Sequence, residues 1–189
     1  DADYFHGDYL AMVMQQSGIS KFSATELAKQ LSGKSAHASV GVGAYEHAVN
    51  ASGSPKDIET ILQLMYLNFT APRFDETDLQ NLKNMYVPYF RNMEADPGYL
   101  MGKAFQETLY QNHVRRQATS AAQIESLNLE TLASVHKQLF SYADDFRFVI
   151  AGNVDLNTLK PLVEKYVGSL PTSKKVEYAV VDDGVRTAT

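Results

Sequence analysis

The side chains able to do acid–base or metal chemistry in this sequence are few and scattered. Cysteine is absent, which removes disulfides, thiolate metal sites and cysteine nucleophiles together. The five histidines are His6, His37, His47, His113 and His136. No two stand three or four residues apart, the spacing that puts two imidazoles on one helix face. His37 and His47 can approach across a hairpin, and a metal enzyme built on that pair would carry stoichiometric zinc. Two imidazoles alone leave a zinc site incomplete, however, so a surface or sheet-face role is expected for both. Gly41-Val42-Gly43 resembles part of a phosphate loop but has no helix start behind it; glycine at alternate strand positions marks close backbone approach instead. Arg115-Arg116, near His113, offer a contact to a peptide carboxylate or a neighbouring domain, although their segment reads as a solvated loop. The Tyr and Phe residues are read mostly as core, and any exposed on a chamber wall would suit peptide binding.

Composition narrows the classes further. At 189 residues the chain is one large domain or two small ones, long enough to bury a substantial core. Net charge is −5 with Lys and Arg dispersed, so neither a nucleic-acid footprint nor a polybasic membrane patch is expected. No apolar run approaches the roughly 18 residues of a membrane span. Asp1-Ala2-Asp3 does not read as a signal peptide, which leaves room for a mature segment of an exported protein. The lack of cysteine suits cytoplasm and periplasm equally.

The elements that must position these residues follow from period and punctuation. Phe148-Val149-Ile150-Ala151 has the length of a buried strand. Gly152-Asn153 turns the chain. Leu159, Leu162, Val163, Tyr166, Val167 and Leu170 then form one unbroken helical stripe. Earlier, Asp3 to Gln16 reads as a mostly buried helix ended by Ser17-Gly18. Ser23-Ala24-Thr25-Glu26 is a capping box for a helix ending near Gly33. From Ala36 the period changes to two, and a second strand, Tyr45 to Ala51, is expected to pair with the first. The small residues on the covered face predict a closely packed helix. Ser54-Pro55-Lys56-Asp57 starts the central helix Asp57 to Phe69, with Ser54 as hydroxyl cap. Asp75 opens a long helix with Pro88 inside, where a kink is expected. Asp96-Pro97 starts another with Tyr99, Leu100, Ala104, Phe105 and Leu109 inward. Asn112 to Thr119 is a basic loop, Ser120 to Leu127 a short turn, and Asn128 caps a helix carrying Leu132, Val135, Leu139 and Phe140. Val176 to Val180 is a last strand candidate. The pattern is α+β: a mainly antiparallel sheet with helices on one face. Four strand candidates are few for so many helices, so the first strands are expected to lie before Asp1, leaving an open sheet edge prone to self-association.

Several stretches, in order, resemble the pitrilysin/insulinase family of zinc metallopeptidases. They are Gly18-Ile19-Ser20 with Phe22 to Leu27, the Ser54 to Asp57 helix start, Phe69 to Asp75, Asp96-Pro97, and Val149 to Asp155 leading to Ser169-Leu170-Pro171. Together they span roughly residues 8 to 172. Active members of that family carry H-x-x-E-H. Aligned through Ser23 to Leu27, that slot holds Tyr9-Leu10-Ala11-Met12-Val13, and the place of the downstream glutamate ligand holds Tyr89-Phe90. A hydrolytic zinc needs three N or O ligands, an open water position and a base. The resemblance therefore implies a non-catalytic copy, with no metal or cofactor of its own, whose parent holds zinc in another domain.

What the resemblance implies for the whole is a substrate-enclosing domain, residues 1–175, with residues 176–189 as a strand or linker toward the next domain. It is expected to be the first domain of the C-terminal half of a bacterial enzyme, periplasmic rather than cytoplasmic. Its partners would be the catalytic half of the same chain and a peptide substrate. The alternative is a peptidase-derived scaffold or binding subunit with no proteolytic role. A reading frame that continues into an H-x-x-E-H domain, or stops, separates the two.

Overall fold

A computed structural model describes residues 4–173, 182 and 184–187. The chain enters through helix α1 (Tyr4–Ser17) and the short helix α2 (Ala24–Gln30). Between them Gly18 takes φ +89°, and a Cβ there would stand 2.3 Å from the Phe22 carbonyl oxygen, so only glycine allows this close turn. Ser23 caps α2 through the reciprocal box with Glu26, as its spacing predicts.

Strands β1 (Ala36–Val42) and β2 (His47–Gly53) form an antiparallel hairpin, registered Val42 with His47 and Ala36 with Gly53. Val40 and its cross-strand partner Val49 belong to the face packed on the core. A 3-10 turn, Pro55–Asp57, leads into helix α3 (Ile58–Thr70), which packs against both strands. Here one expectation fails: Ser54 makes no side-chain capping bond. Asp57 instead accepts a 2.9 Å hydrogen bond from the Ser35 N–H and so ties the helix start to the strand ahead of it.

Asp75 caps helix α4 (Glu76–Met93), and Asp96 caps helix α5 (Pro97–Leu109). Ser17 is fully buried where α1 ends. Its hydroxyl accepts the Asp75 N–H, its carbonyl accepts the Arg73 Nε–H at 2.7 Å, and Arg73 pairs with Asp75 at 2.6 Å. That network locks the end of α1 to the start of α4. Helix α5 departs from the sequence reading, because none of its residues is buried and Phe105 is 68% exposed. Its amphipathic stripe has the right period, but among the described residues it is covered only in part, at Tyr99 and Leu109.

The short α6 (Ala121–Ser126) packs on α4, and α7 (Leu129–Phe140), capped by Asn128, packs on α1. Helix α8 (Leu156–Tyr166) closes the array against α3 through Tyr166, whose hydroxyl donates to Glu59 and accepts from Gln63. Leu10, Leu62, Leu79, Leu82, Leu132 and Phe140 lie in one core shared by these helices and the hairpin. The class is α+β, as the alternation of periods predicts. Among the described residues the sheet has two strands. The Phe148–Ala151 run joins no sheet among the described residues, and the Val176–Val180 candidate lies outside them.

Candidate functional site

The five residues in the motif slot occupy about one and a half turns of α1. Leu10 and Val13 are 0% and 1% exposed, part of the core, while Tyr9, Ala11 and Met12 pack around it. The Tyr9 phenol is pushed above its usual range by burial, partly offset by a hydrogen bond with Thr119. On α4, which lies against α1, Phe90 packs on the core and Tyr89 is exposed, the two rings meeting edge to face at 5.2 Å. A divalent metal needs several converging N, O or S donors. Leucine, alanine and valine supply none, and the Tyr9 oxygen and Met12 sulfur are two donors at most, so the slot residues do not fit a zinc ion. Among the described residues no group of three or more His, Asp or Glu side chains could hold one.

The histidines divide by environment. His37 pairs in register with Ser52 and His47 with Val42, so the two imidazoles stand five positions apart along the hairpin, about 17 Å. They do not meet, and the two-histidine metal site falls away. His47 instead packs edge to face on Phe140 and Phe146 at 5.4 and 5.0 Å. His136 is buried, bonds the Asn68 carbonyl through Nε2 at 2.8 Å and stacks on Phe140. Burial lowers both pKa values, with Asp145 acting against it at His47 and the Asn68 carbonyl at His136. His6 lies 3.3 Å from the Asn128 amide, and His113 Nδ1 accepts the Arg115 N–H.

Arg115 and Arg116 correct the solvated-loop reading. Both are half-buried, stacked over the rings of Tyr4 and Tyr110 respectively, and Arg115 reaches the Ala44 carbonyl at the hairpin tip. Gly41-Val42-Gly43 ends a strand, with the Gly43 N–H bonded to the Glu46 carbonyl, so it cradles no phosphate.

Among the described residues a cleft of about 420 Å³ lies between β2 and the run after Asp145. All seven residues of β2 line one side and residues 145–152 line the other. A sheet face shows alternate residues; a continuous run marks an edge. Ile58, Ile61, Leu62, Met65 and Phe69, successive positions on one face of α3, make the floor. The rings of Phe69, Phe146 and Phe148 line one end, and behind them Phe140 is fully buried in contact with Phe69 and Phe146. No residue pattern pointed directly to this cleft. Its only trace was the pair of apolar positions Phe146 and Phe148, two residues apart at the head of the strand candidate. A second, apolar groove of about 290 Å³ lies between α1, α2 and β1.

The elements form a helix-rich α+β layer around a hairpin, the class of fold the sequence predicts. Comparison with known proteins agrees. The family model described as the peptidase M16 inactive domain matches residues 126–187. The "Probable zinc protease PqqL" of Escherichia coli strain K12 is 24% identical over 157 residues, covering 83% of this chain and 17% of its own length. The crystal structure of the periplasmic protease PqqL from Escherichia coli superposes with TM-score 0.75 at 22% identity, over 95% of this chain and 19% of that one. A peptidase M16 inactive domain from Pseudomonas fluorescens gives TM-score 0.65 at 21% identity, over 89% and 42%. The chain is thus similar to the peptidase M16 inactive domain over residues 126–187 and to the PqqL proteins over most of its length, in line with the pitrilysin/insulinase resemblance. Its match covers between about an eighth and a sixth of the length of the PqqL proteins.

Proposed function

We propose that this chain is a non-catalytic, substrate-enclosing domain of a longer zinc metalloendopeptidase. Residues 1–175 form the domain, and 176–189 lead toward the next one. The zinc and its H-x-x-E-H helix belong to the catalytic half of the same parent, which this domain faces across a chamber that holds the peptide. Tyr9 to Val13 and Tyr89-Phe90 occupy the places that metal ligands hold in active copies. The observation that carries the reading is the use made of that helix: Val13, in one of the three ligand places, is buried in the hydrophobic core, and Tyr9 and Met12, in the other two, pack against it. The Escherichia coli relative, named a zinc protease and a periplasmic one, supports zinc in the parent and a periplasmic parent.

The test is deletion of this segment from the parent. Peptide cleavage and substrate affinity are expected to fall sharply while zinc content stays at the parent's own level. Unchanged cleavage and affinity would remove the enclosing role and favour the scaffold alternative.

A further inference from the structure

Helix α2 and its C-cap carry Ala24, Leu27, Ala28 and Leu31 at the spacing of one helix face. All four line the groove of about 290 Å³ between α1, α2 and β1. Yet no residue of α2 is buried, so this face does not close onto the core beneath it. The connections at its two ends hold the helix there. Before it, Ile19 and Phe22 exchange backbone bonds of 2.9 Å across the Gly18 turn, and the Ser20 N–H donates to the Ala71 carbonyl. After it, the Ser35 N–H donates to Asp57, and the Ser35 carbonyl accepts the Ser54 N–H. A helix tied at both ends does not fall into the gap, and the groove is a standing hollow.

Its floor is core: Met14, Ile19, Val40 and Leu64 are between 4% and 6% exposed. One polar side chain stands among them. Asn68 of α3 is 5% exposed and lines the same groove. Its Nδ2 donates to the Leu64 carbonyl at 2.8 Å, which fixes the amide, and its backbone carbonyl is bonded by His136. The amide oxygen is left over. Oδ1 accepts from no described residue, and it is not among the enclosed side-chain atoms that lack a partner. The little surface Asn68 keeps therefore opens on the groove, where a nearly buried acceptor calls for a donor.

From this geometry we infer that the groove is a binding site for a small, flat, uncharged aromatic molecule with one N–H or O–H donor, of the indole or phenol type. The donor meets Asn68 Oδ1. The methyl groups of Ala24 and Ala28 on α2, and of Ala36 and Ala38 on β1, make shallow walls on which a ring lies flat. The Met14 thioether favours a ring over an alkyl chain. A charged ligand finds no counter-ion, because the one lining residue able to carry charge is His37, exposed at the mouth. A hollow near the roughly 300 Å³ lower end of ligand sites admits a molecule, not the roughly 800 Å² of surface that a docked protein covers. From α1 the groove takes Ala11, Met14 and Gln15, a different face from Tyr9, Met12 and Val13. The inference is therefore independent of the proposed domain role.

The experiment titrates the full-length protein with indole by calorimetry, then with N-methylindole, the same ring with its donor blocked. One indole is expected to bind per chain, and N-methylindole at least about 10-fold more weakly. Bound indole is expected to slow amide exchange in residues 24–31 and 36–40. Ala28→Phe, at an exposed helix position, fills the groove and is expected to abolish binding while the circular dichroism spectrum stays the same. Asn68→Leu, close in shape, removes the acceptor. It is expected to weaken indole at least about 10-fold and to leave N-methylindole as it was. Should Asn68→Leu not fold, the two ligands and Ala28→Phe decide the matter without it. No saturable indole binding, equal affinity for the two ligands, slowed exchange confined to other segments, or binding that survives Ala28→Phe would each overturn the inference.

Discussion

Burial keeps the imidazoles of His136 and His47 below the ordinary histidine range, so both favour the neutral form in the fold. In the unfolded chain each takes a proton near pH 6.5. Falling pH therefore protonates the unfolded state first, and the stability these groups contribute above about pH 6.5 is lost as pH drops toward their folded values. The carboxylates Glu26 and Glu59, held low by hydrogen bonds, titrate in a lower window and do not mask this one. The urea midpoint is expected to fall between about pH 7.5 and about pH 5.5, and His136→Gln to shrink that fall. An unchanged midpoint would mean both rings charge freely in the folded state. The same scale separates the two halves of the motif slot. Leu10→Ala empties a fully buried position and should cost about 2–5 kcal/mol by chemical denaturation. Tyr89→Ala, at an exposed ring, should cost less than about 1 kcal/mol. Equal losses would contradict the placement of Leu10 in the core.

At the scale of elements, what the sequence disclosed was whatever is decided locally. Ser23, Asp75, Asp96, Ser120, Asn128 and Asp155 each accept a hydrogen bond from a backbone N–H two or three residues ahead, so a cap can be read from a few neighbouring letters. Ser54 has the same letters around it and caps nothing, because Asp57 is drawn to Ser35, 22 residues away. Replacing Ser23 by Ala is accordingly expected to cost about 1 kcal/mol, and Ser54→Ala close to nothing. Thermal unfolding of the two variants side by side checks the contrast, and a Ser54→Ala loss as large as that of Ser23→Ala would refute it. Pairing and docking were the hidden part. Phe148–Ala151 has strand composition, but a strand exists only where a partner edge meets it, and no local pattern names that partner. Helix α5 shows the same gap: its stripe predicts a buried face without saying what lies over it. His37 and His47 looked like neighbours until register set them at opposite ends of the hairpin.

For the whole molecule, the question is whether a domain with a peptidase outline can hold zinc at all. A catalytic zinc needs ligands that converge on a water-accessible position. Val13, one of the three slot positions, points into a core that water does not reach, so an imidazole installed there would be buried without a place for the metal's water. Reinstating the motif as Tyr9→His, Met12→Glu and Val13→His should therefore fail twice over. The triple variant is expected to lose stability, since a polar ring displaces core packing and leaves a desolvated nitrogen, at a cost of about 1–3 kcal/mol for the unsatisfied group alone. It is also expected to bind no stoichiometric zinc by plasma mass spectrometry after dialysis, the same result expected of the unsubstituted chain. Should the variant take up one zinc per chain without losing stability, the helix would be a dormant metal site rather than a packing element. The assignment of catalysis to another domain would then lose its physical basis.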